Sequence, residues 1–213
     1  MKATTRLHQH PDQELIRLQL SQNCVLKNVD PELMGQLEQC LEISDLKKST
    51  VFLRQGARQM EQFFVLGGIT KRVVSSPDAI EVILRFAKEG DIETSYAAWR
   101  QKMPAPYSII CVTPARIARM PIKQWVKFMQ EHKLLGERFE LEVMRIMSGV
   151  MDHITSLHLH DAPSRSSHFF QAHQDLSNLL PQKEIAMYLN LCPETLSRLR
   201  AKQATPLPDT VLE

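Results

Sequence analysis

The tightest constraint on this chain lies near its C-terminal end. Ala186, Asn190 and Pro193 stand four and three residues apart, set among Ile185, Leu189, Leu191, Leu196 and Leu199. Two short helices crossing at a tight turn need a small residue where they touch, which Ala186 supplies. They need a residue that tolerates positive φ in the turn, and Asn is the best non-glycine choice for it. They need a start for the second helix, and proline serves in the first turn because its missing N–H is not required there. The leucines and Ile185 fall on the two faces that would bury against each other. The segment from Gln182 to Leu199 is therefore predicted to be a helix-turn-helix of the DNA-binding kind.

With those helices placed, Glu194, Thr195, Ser197 and Arg198 project from the N-terminal half of the second one, the part that enters a major groove. Arg198 has the reach for guanine O6 and N7 together, and Glu194 can accept from a cytosine amine. Gln182, Lys183, Arg200 and Lys202 are better placed for phosphates, which position a protein without reading sequence. Residues 163–203 carry Arg165, Lys183, Arg198, Arg200 and Lys202 against Asp175, Glu184 and Glu194, an excess of only two positive charges. So small an excess predicts a homodimer reading two half-sites about 34 Å apart.

The middle of the chain has a different grammar. Thr50–Leu53, Gln62–Leu66, Thr70–Val74, Ala79–Phe86, Tyr107–Val112 and Arg116–Met120 are short runs rich in β-branched and aromatic residues. Turn residues punctuate them at Gln55-Gly56, Gly67-Gly68, Ser75–Asp78 and Glu89–Asp91. Short, regularly spaced strands predict a sandwich or jelly roll rather than a doubly wound sheet. Gly67-Gly68 marks a place where side chains would clash. Residues 1–49 read as helical, with amphipathic pieces around Glu14–Leu20 and at Pro31–Leu41, the second capped by Asp30. His8 and His10 fall in a polar stretch expected to fray.

Residues 122–160 switch to a long helical pattern. Phe139, Val143, Ile146, Val150, His153 and Leu157 alternate by four and three, the spacing of a coiled-coil seam. Met144, Met147, Met151 and Ile154 widen the stripe beyond what one sheet can cover, so one side is expected to face a second copy of the chain. His153 on the seam is expected to be a hydrogen-bonded interface residue. A hinge follows at His160–Arg165, where Pro163 ends the long helix and Asp161 or Ser164 caps the next. The tail Ala204–Glu213, with Pro206 and Pro208, cannot continue a helix. The expected division is 1–121 as sensor, 122–160 as dimerisation helix and 161–213 as DNA-binding domain.

Composition narrows the function classes. With 43% apolar and 23% charged residues the 213-residue chain can bury a real core, and its net charge of +2 forces no nucleic-acid reading by itself. The longest clean apolar run, Phe63–Ile69, is far short of the roughly 18–20 residues that cross a bilayer, so no membrane partner is expected. The N-terminus lacks the hydrophobic run of a secretory signal, and the scattered Cys24, Cys40, Cys111 and Cys192 suit a reducing cytoplasm. A jelly-roll metal enzyme would need histidines on adjacent strands, and residues 51–121 contain none. No glycine-rich phosphate loop or paired acid and base stands in the chain either, so it is not read as an enzyme.

The arrangement resembles the cyclic-AMP receptor protein / fumarate-nitrate regulator (Crp/Fnr) family over roughly residues 32–203. The resemblance rests on Lys48-Ser49-Thr50-Val51-Phe52-Leu53-Arg54-Gln55-Gly56, on Phe64-Val65-Leu66-Gly67-Gly68-Ile69-Thr70-Lys71, and on Glu81–Phe86 running into Gly90-Asp91-Ile92. Pro193-Glu194-Thr195-Leu196-Ser197-Arg198 is its most specific string. It implies an α+β fold: an N-terminal cyclic-nucleotide-binding-type β jelly roll, a long dimerisation helix and a C-terminal helix-turn-helix domain that regulates promoters. In relatives sharing the Glu-x-x-Ser-Arg face, Glu and Arg read a TGA-containing inverted repeat. The resemblance carries that role to Glu194, Ser197 and Arg198, and it allows RNA polymerase as a further partner.

The chain also departs from the pattern. Members that bind cyclic nucleotides carry Gly-Glu shortly after Gly-Asp for the ribose, then Arg-Ser or Arg-Thr for the phosphate. Here Thr94-Ser95 and Ala105-Pro106 stand instead, with Arg100 the nearest arginine in sequence and Asp91 and Glu93 set to repel a phosphate. Losing a charge-assisted bidentate contact removes about 1.5–3 kcal/mol, so cyclic-nucleotide binding in the usual mode is not expected. Little chain follows the second helix, which predicts a reduced or absent wing. The effector stays unassigned, and no metal site is expected. Cys24 and Cys40 are too far apart for an iron–sulfur sensor. A haem would draw on His132, His153, His158 or His160, and a thiol switch on Cys111 or Cys192. A different class, an interaction module with a degenerate helix-turn-helix, is opposed by the presence of both Glu194 and Arg198.

Overall fold

A computed structural model describes residues 4–204, which divide into two compact units at Val150 and Met151. The first is built on nine strands: β1 (Thr5–Arg6), β2 (Glu42–Leu46), β3 (Val51–Leu53), β4 (Glu61–Gly67), β5 (Thr70–Ser75), β6 (Glu81–Ala87), β7 (Ile92–Thr94), β8 (Ser108–Cys111) and β9 (Ala115–Pro121). They form two antiparallel sheets, in the orders β1-β2-β9-β4-β7 and β3-β8-β5-β6. The jump from β2 across to β9 and from β3 to β8 is the long-range pairing of a jelly roll.

Strand β4 shows why one of its runs is apolar without alternation. Phe63 points between the sheets and meets Phe52 edge-on at 4.9 Å, while Phe64 points the other way and meets Trp125 at 5.3 Å. A strand covered on both faces must be apolar at every position. Trp125 belongs to α4 (Ile122–Glu131), whose Ile122, Val126 and Met129 are buried with it. At the β4–β5 turn Gly68 has φ +81°, and a Cβ there would stand 2.2 Å from the Pro114 carbonyl oxygen. Only glycine meets both demands.

Helices α1 (Gln13–Ser21) and α2 (Pro31–Cys40) stand where the amphipathic pattern places them. Asp30 caps α2 by accepting from the Glu32 N–H at 2.9 Å, with Pro31 at the first position. The reading of residues 1–49 as wholly helical is corrected by β1 and β2. In β2, Ile43 and Ser44 are both buried beside β9. The N-terminus is not frayed at the histidines either. Leu7 opens a 3₁₀ turn (Leu7–Gln9) and is buried, and buried His10 accepts from the Asp12 N–H through Nδ1 at 3.1 Å and lies 3.5 Å from Asp45. The strand β7 and the short helix α3 (Tyr96–Arg100) carried no readable sequence pattern.

The region from 122 to 160 is two helices, not one. His132 interrupts it with φ −129° and ψ 78°, and α5 (Lys133–Leu159) then runs on into the second unit. The second unit contains α6 (Ala162–Ala172), α7 (Gln174–Leu179), α8 (Gln182–Tyr188) and α9 (Pro193–Ala204). Asp161 caps α6 through the Ser164 N–H at 2.9 Å, and Pro163 sits in its first turn. The tail beyond residue 204, on which the expectation of a reduced or absent wing rests, lies outside the described residues.

Candidate functional sites: a helix-turn-helix surface and a buried cavity

In the second unit the turn between α8 and α9 has the geometry its residues dictate. Asn190 takes φ 52°, the left-handed conformation that asparagine tolerates. The Leu191 N–H donates to the Ala186 carbonyl at 2.9 Å, closing the turn. Ile185, Ala186, Leu189 and Leu196 are buried, so the two helices meet on the apolar faces read from sequence. Glu194, Ser197 and Arg198 are exposed on one face of α9. Thr195 is half-buried; its hydroxyl lies 3.0 Å from the Cys192 thiol and accepts from Arg198 Nη2 at 3.4 Å. Cys192 thus stands at the cap position with its sulfur on Thr195.

The residues expected to touch phosphates are spread around this face. Gln182 and Lys183 are exposed at the start of α8. Arg200 is exposed, with its guanidinium 4.9 Å over the ring of Phe170. Lys202 lies on α9, with its side chain outside the described residues.

One residue that sequence reading left in the hinge holds this unit together. Arg165 donates from Nε to the Leu189 carbonyl at 3.0 Å and from Nη1 to the His160 carbonyl at 2.7 Å. Both carbonyls terminate helices and lack an intrahelical partner. The local signal, a basic residue just after a cap, does not say which carbonyls it reaches. Tyr188 also gains a role: its ring stacks on His153 with centroids 3.7 Å apart and planes 4° apart, and touches Phe169 at 5.6 Å.

The seam residues of α5 do not share one environment. Phe139 is fully buried in its own unit, edge-on to Tyr96 and Trp125 at 5.2 and 5.4 Å. Val143, Ile146 and Val150 line a cavity of the first unit. His153 is buried and stacks on Tyr188 of its own chain, and Leu157 is half-buried. Of the widening set Met144, Met147 and Met151 are exposed, Met144 at 58% and Met151 at 63%, whereas Ile154 is half-buried; Leu134, Leu141 and Leu159 of the same helix are exposed as well.

The cavity has a volume of about 610 Å³ and lies between the β-roll, α3 and the middle of α5. Thr94, Ser95, Ala105 and Pro106 are on its wall. Arg72 of β5 is there too, whereas Arg100, the arginine nearest in sequence, is not and donates to the Tyr96 hydroxyl at 3.2 Å. Arg72 is buried, with Nε 2.5 Å from Glu93 Oε2 and its guanidinium 4.6 Å over the Tyr107 ring. Burial opposes its charge, but Glu93 and the Tyr107 hydroxyl together outweigh that and its pKa is raised. Glu93 also lies 3.6 Å from Arg85, whose other nitrogen faces Asp91 at 3.6 Å. Tyr107 donates its hydroxyl to the Thr94 carbonyl, and burial raises its pKa. The signal for Arg72 was present in the sequence: Lys71-Arg72 sits in a β run, and alternation sends one of two successive side chains inward.

His132, His153, His158 and His160 are not on the cavity wall, and among the described residues no group of histidine, cysteine and carboxylate side chains could hold a metal ion. Burial pushes the Cys111 thiol up to about 11, so it stays protonated. Among the described residues no helix is long and apolar enough to cross a membrane.

Comparison with known proteins agrees with this architecture. Residues 43–132 match the family described as cyclic nucleotide-binding domain. No curated protein matches the sequence. The regulator CLP of Xanthomonas campestris is similar in structure at a TM-score of 0.68, with 11% identity over 82% of this chain and 91% of that one. FixK2 of Bradyrhizobium japonicum gives 0.67, with 15% identity over 75% and 82% of the two chains. A CooA variant from Carboxydothermus hydrogenoformans gives 0.65, with 16% identity over 83% and 79%. The chain therefore has the α+β fold of the Crp/Fnr transcription regulators.

Proposed function

We propose that the protein is a homodimeric transcription regulator of the Crp/Fnr type that binds an inverted-repeat promoter site through α9. The observation that carries this reading is the face of Glu194, Ser197 and Arg198, exposed on a helix whose opposite side is buried through Leu196 and fixed by the left-handed Asn190. Glu194 and Arg198 then contact base edges of a TGA-containing half-site, Thr195 steers Arg198 through its hydroxyl, and Gln182, Lys183, Arg200 and Lys202 meet the backbone. The uncovered Leu141, Met144, Met147 and Met151 supply the apolar surface that a second copy covers. Such a regulator works in the cytoplasm, where its four unpaired cysteines stay reduced, and meets RNA polymerase at the promoter.

The cavity of the first unit is the effector site in this reading. CLP is described as responsive to c-di-GMP, so a related fold answers a nucleotide signal. A cyclic nucleotide in the usual mode does not fit here, because Ala105 and Pro106 occupy the wall and the Arg72 charge is committed to Glu93.

Selection from a randomised duplex library tests the proposal. The purified protein should enrich a two-fold symmetric site, and Arg198→Ala should lose that enrichment while remaining dimeric. Enrichment of the same site by Arg198→Ala would remove Arg198 from the reading, and failure of the native protein to enrich any sequence would remove the proposal.

A further inference from the structure

The cavity is of the size that takes small organic ligands, and its walls are mainly aliphatic. Val74 and Leu84 come from the sheet, Met103 from the loop after α3, and Val143, Ile146 and Val150 from α5. Arg72 is the one arginine or lysine among the described residues of its lining. Its side chain is 3% exposed, and its Nη2 has no hydrogen-bond partner among the described residues. A donor stranded beside an apolar space is costly and favours any molecule that brings an acceptor.

Charge decides what kind of acceptor. Arg72 is neutralised by Glu93 at 2.5 Å, and Arg85 is shared between Glu93 and Asp91, each at 3.6 Å. A phosphodiester or carboxylate would add a negative charge to an already balanced and buried group, where an unpaired charge is heavily penalised. A carbonyl oxygen accepts the same hydrogen bond and adds none.

We propose that this cavity binds an uncharged, mainly aliphatic molecule ending in a carbonyl group, whose oxygen accepts from Arg72 Nη2 while its chain lies along Leu84, Val143 and Ile146. The proposal rests on the reading of the first unit as the sensor of a regulator, and it replaces the phosphate of the usual effector by a neutral acceptor.

Displacement of the neutral dye Nile red from the purified full-length chain tests it, with methyl decanoate, decanoate, decane and cyclic AMP as competitors. Methyl decanoate should displace the dye at a concentration at least about tenfold below that of decanoate or decane, the scale of one hydrogen bond to a charged donor. Cyclic AMP should not displace it. Arg72→Met should bring the ester and decane within about twofold of each other. Because that change strands Glu93, the pair Arg72→Met with Glu93→Leu is measured beside it and should give the same loss of preference. Decanoate or cyclic AMP competing as well as the ester, an ester preference that survives both variants, or native protein that takes up no dye would each overturn the proposal. The assay contains no DNA. Failure here alongside duplex selection rejects only the ligand, and displacement without duplex selection rejects only the DNA reading.

Discussion

Arg165 ties the turn of the helix-turn-helix to the end of the long helix, donating to Leu189 at 3.0 Å and to His160 at 2.7 Å. One guanidinium thereby satisfies carbonyls that belong to the ends of two different helices. Arg165→Ala should cost the second unit about 1.5–3 kcal/mol, the range for a hydrogen bond to a charged group. Hydrogen exchange of the α8 and α9 amides in increasing urea should show the loss, and an unchanged midpoint would mean that water replaces the guanidinium without cost.

Asn190 at φ 52° offers a sharper contrast. Asn190→Gly should leave stability within about 0.5 kcal/mol, because glycine adopts the same conformation freely. Asn190→Val should cost about 1–2 kcal/mol through the clash of a branched Cβ. Equal midpoints for the two variants would contradict the turn as described.

The N-terminal histidine and its partners make stability depend on acid. Hydrogen bonding from Arg116 holds the Asp45 carboxyl below the usual carboxylate range against a smaller opposing effect of burial, and His10 adds to the depression. A carboxyl whose folded pKa is depressed stabilises the fold above its unfolded value of about 4 and loses that contribution as pH falls through the folded value. Urea midpoints taken in steps of pH should therefore fall below about pH 4. Asp45→Asn should flatten that limb while lowering stability at neutral pH.

Cys111 should be nearly inert while the fold is intact. Burial raises its pKa to about 11, whereas Cys40 is exposed. Alkylation by iodoacetamide at pH 8 should label Cys111 more than about a hundredfold slower than the same residue in urea. Rapid labelling in the native protein would contradict the burial of Cys111.

The parts of the molecule legible in sequence are those where one local rule acts alone. Asn190, Ala186 and Pro193 each answer a backbone demand inside a single turn, and their geometry follows from the residues themselves. Gly68 is similar, because both its φ and the nearby Pro114 carbonyl require glycine. What could not be read depends on partners distant in sequence. β2 follows a helical stretch and becomes a strand by pairing with β9, some seventy residues on. Arg72 reaches the cavity because Glu93 and Tyr107 are brought to it by β7 and the strand after the loop. The seam on α5 was legible as apolar, but period alone does not say who covers it. Phe139 and Ile146 are covered by their own unit, and the methionines are left outside.

That uncovered stripe carries its own prediction. Met144→Glu with Met151→Glu should weaken self-association by about a hundredfold or more, through lost apolar burial and facing like charges. Melting of the first unit should barely change, because both side chains are more than half exposed. An unaltered association constant would place the dimer surface elsewhere.

The most direct measurement is sedimentation velocity of the native chain with a duplex carrying its selected site. The account predicts a single species with two chains on each duplex, reduced to free duplex and single chains when Met144 and Met151 are both glutamate. One chain per duplex at saturation, or a duplex that never sediments with protein, would contradict it.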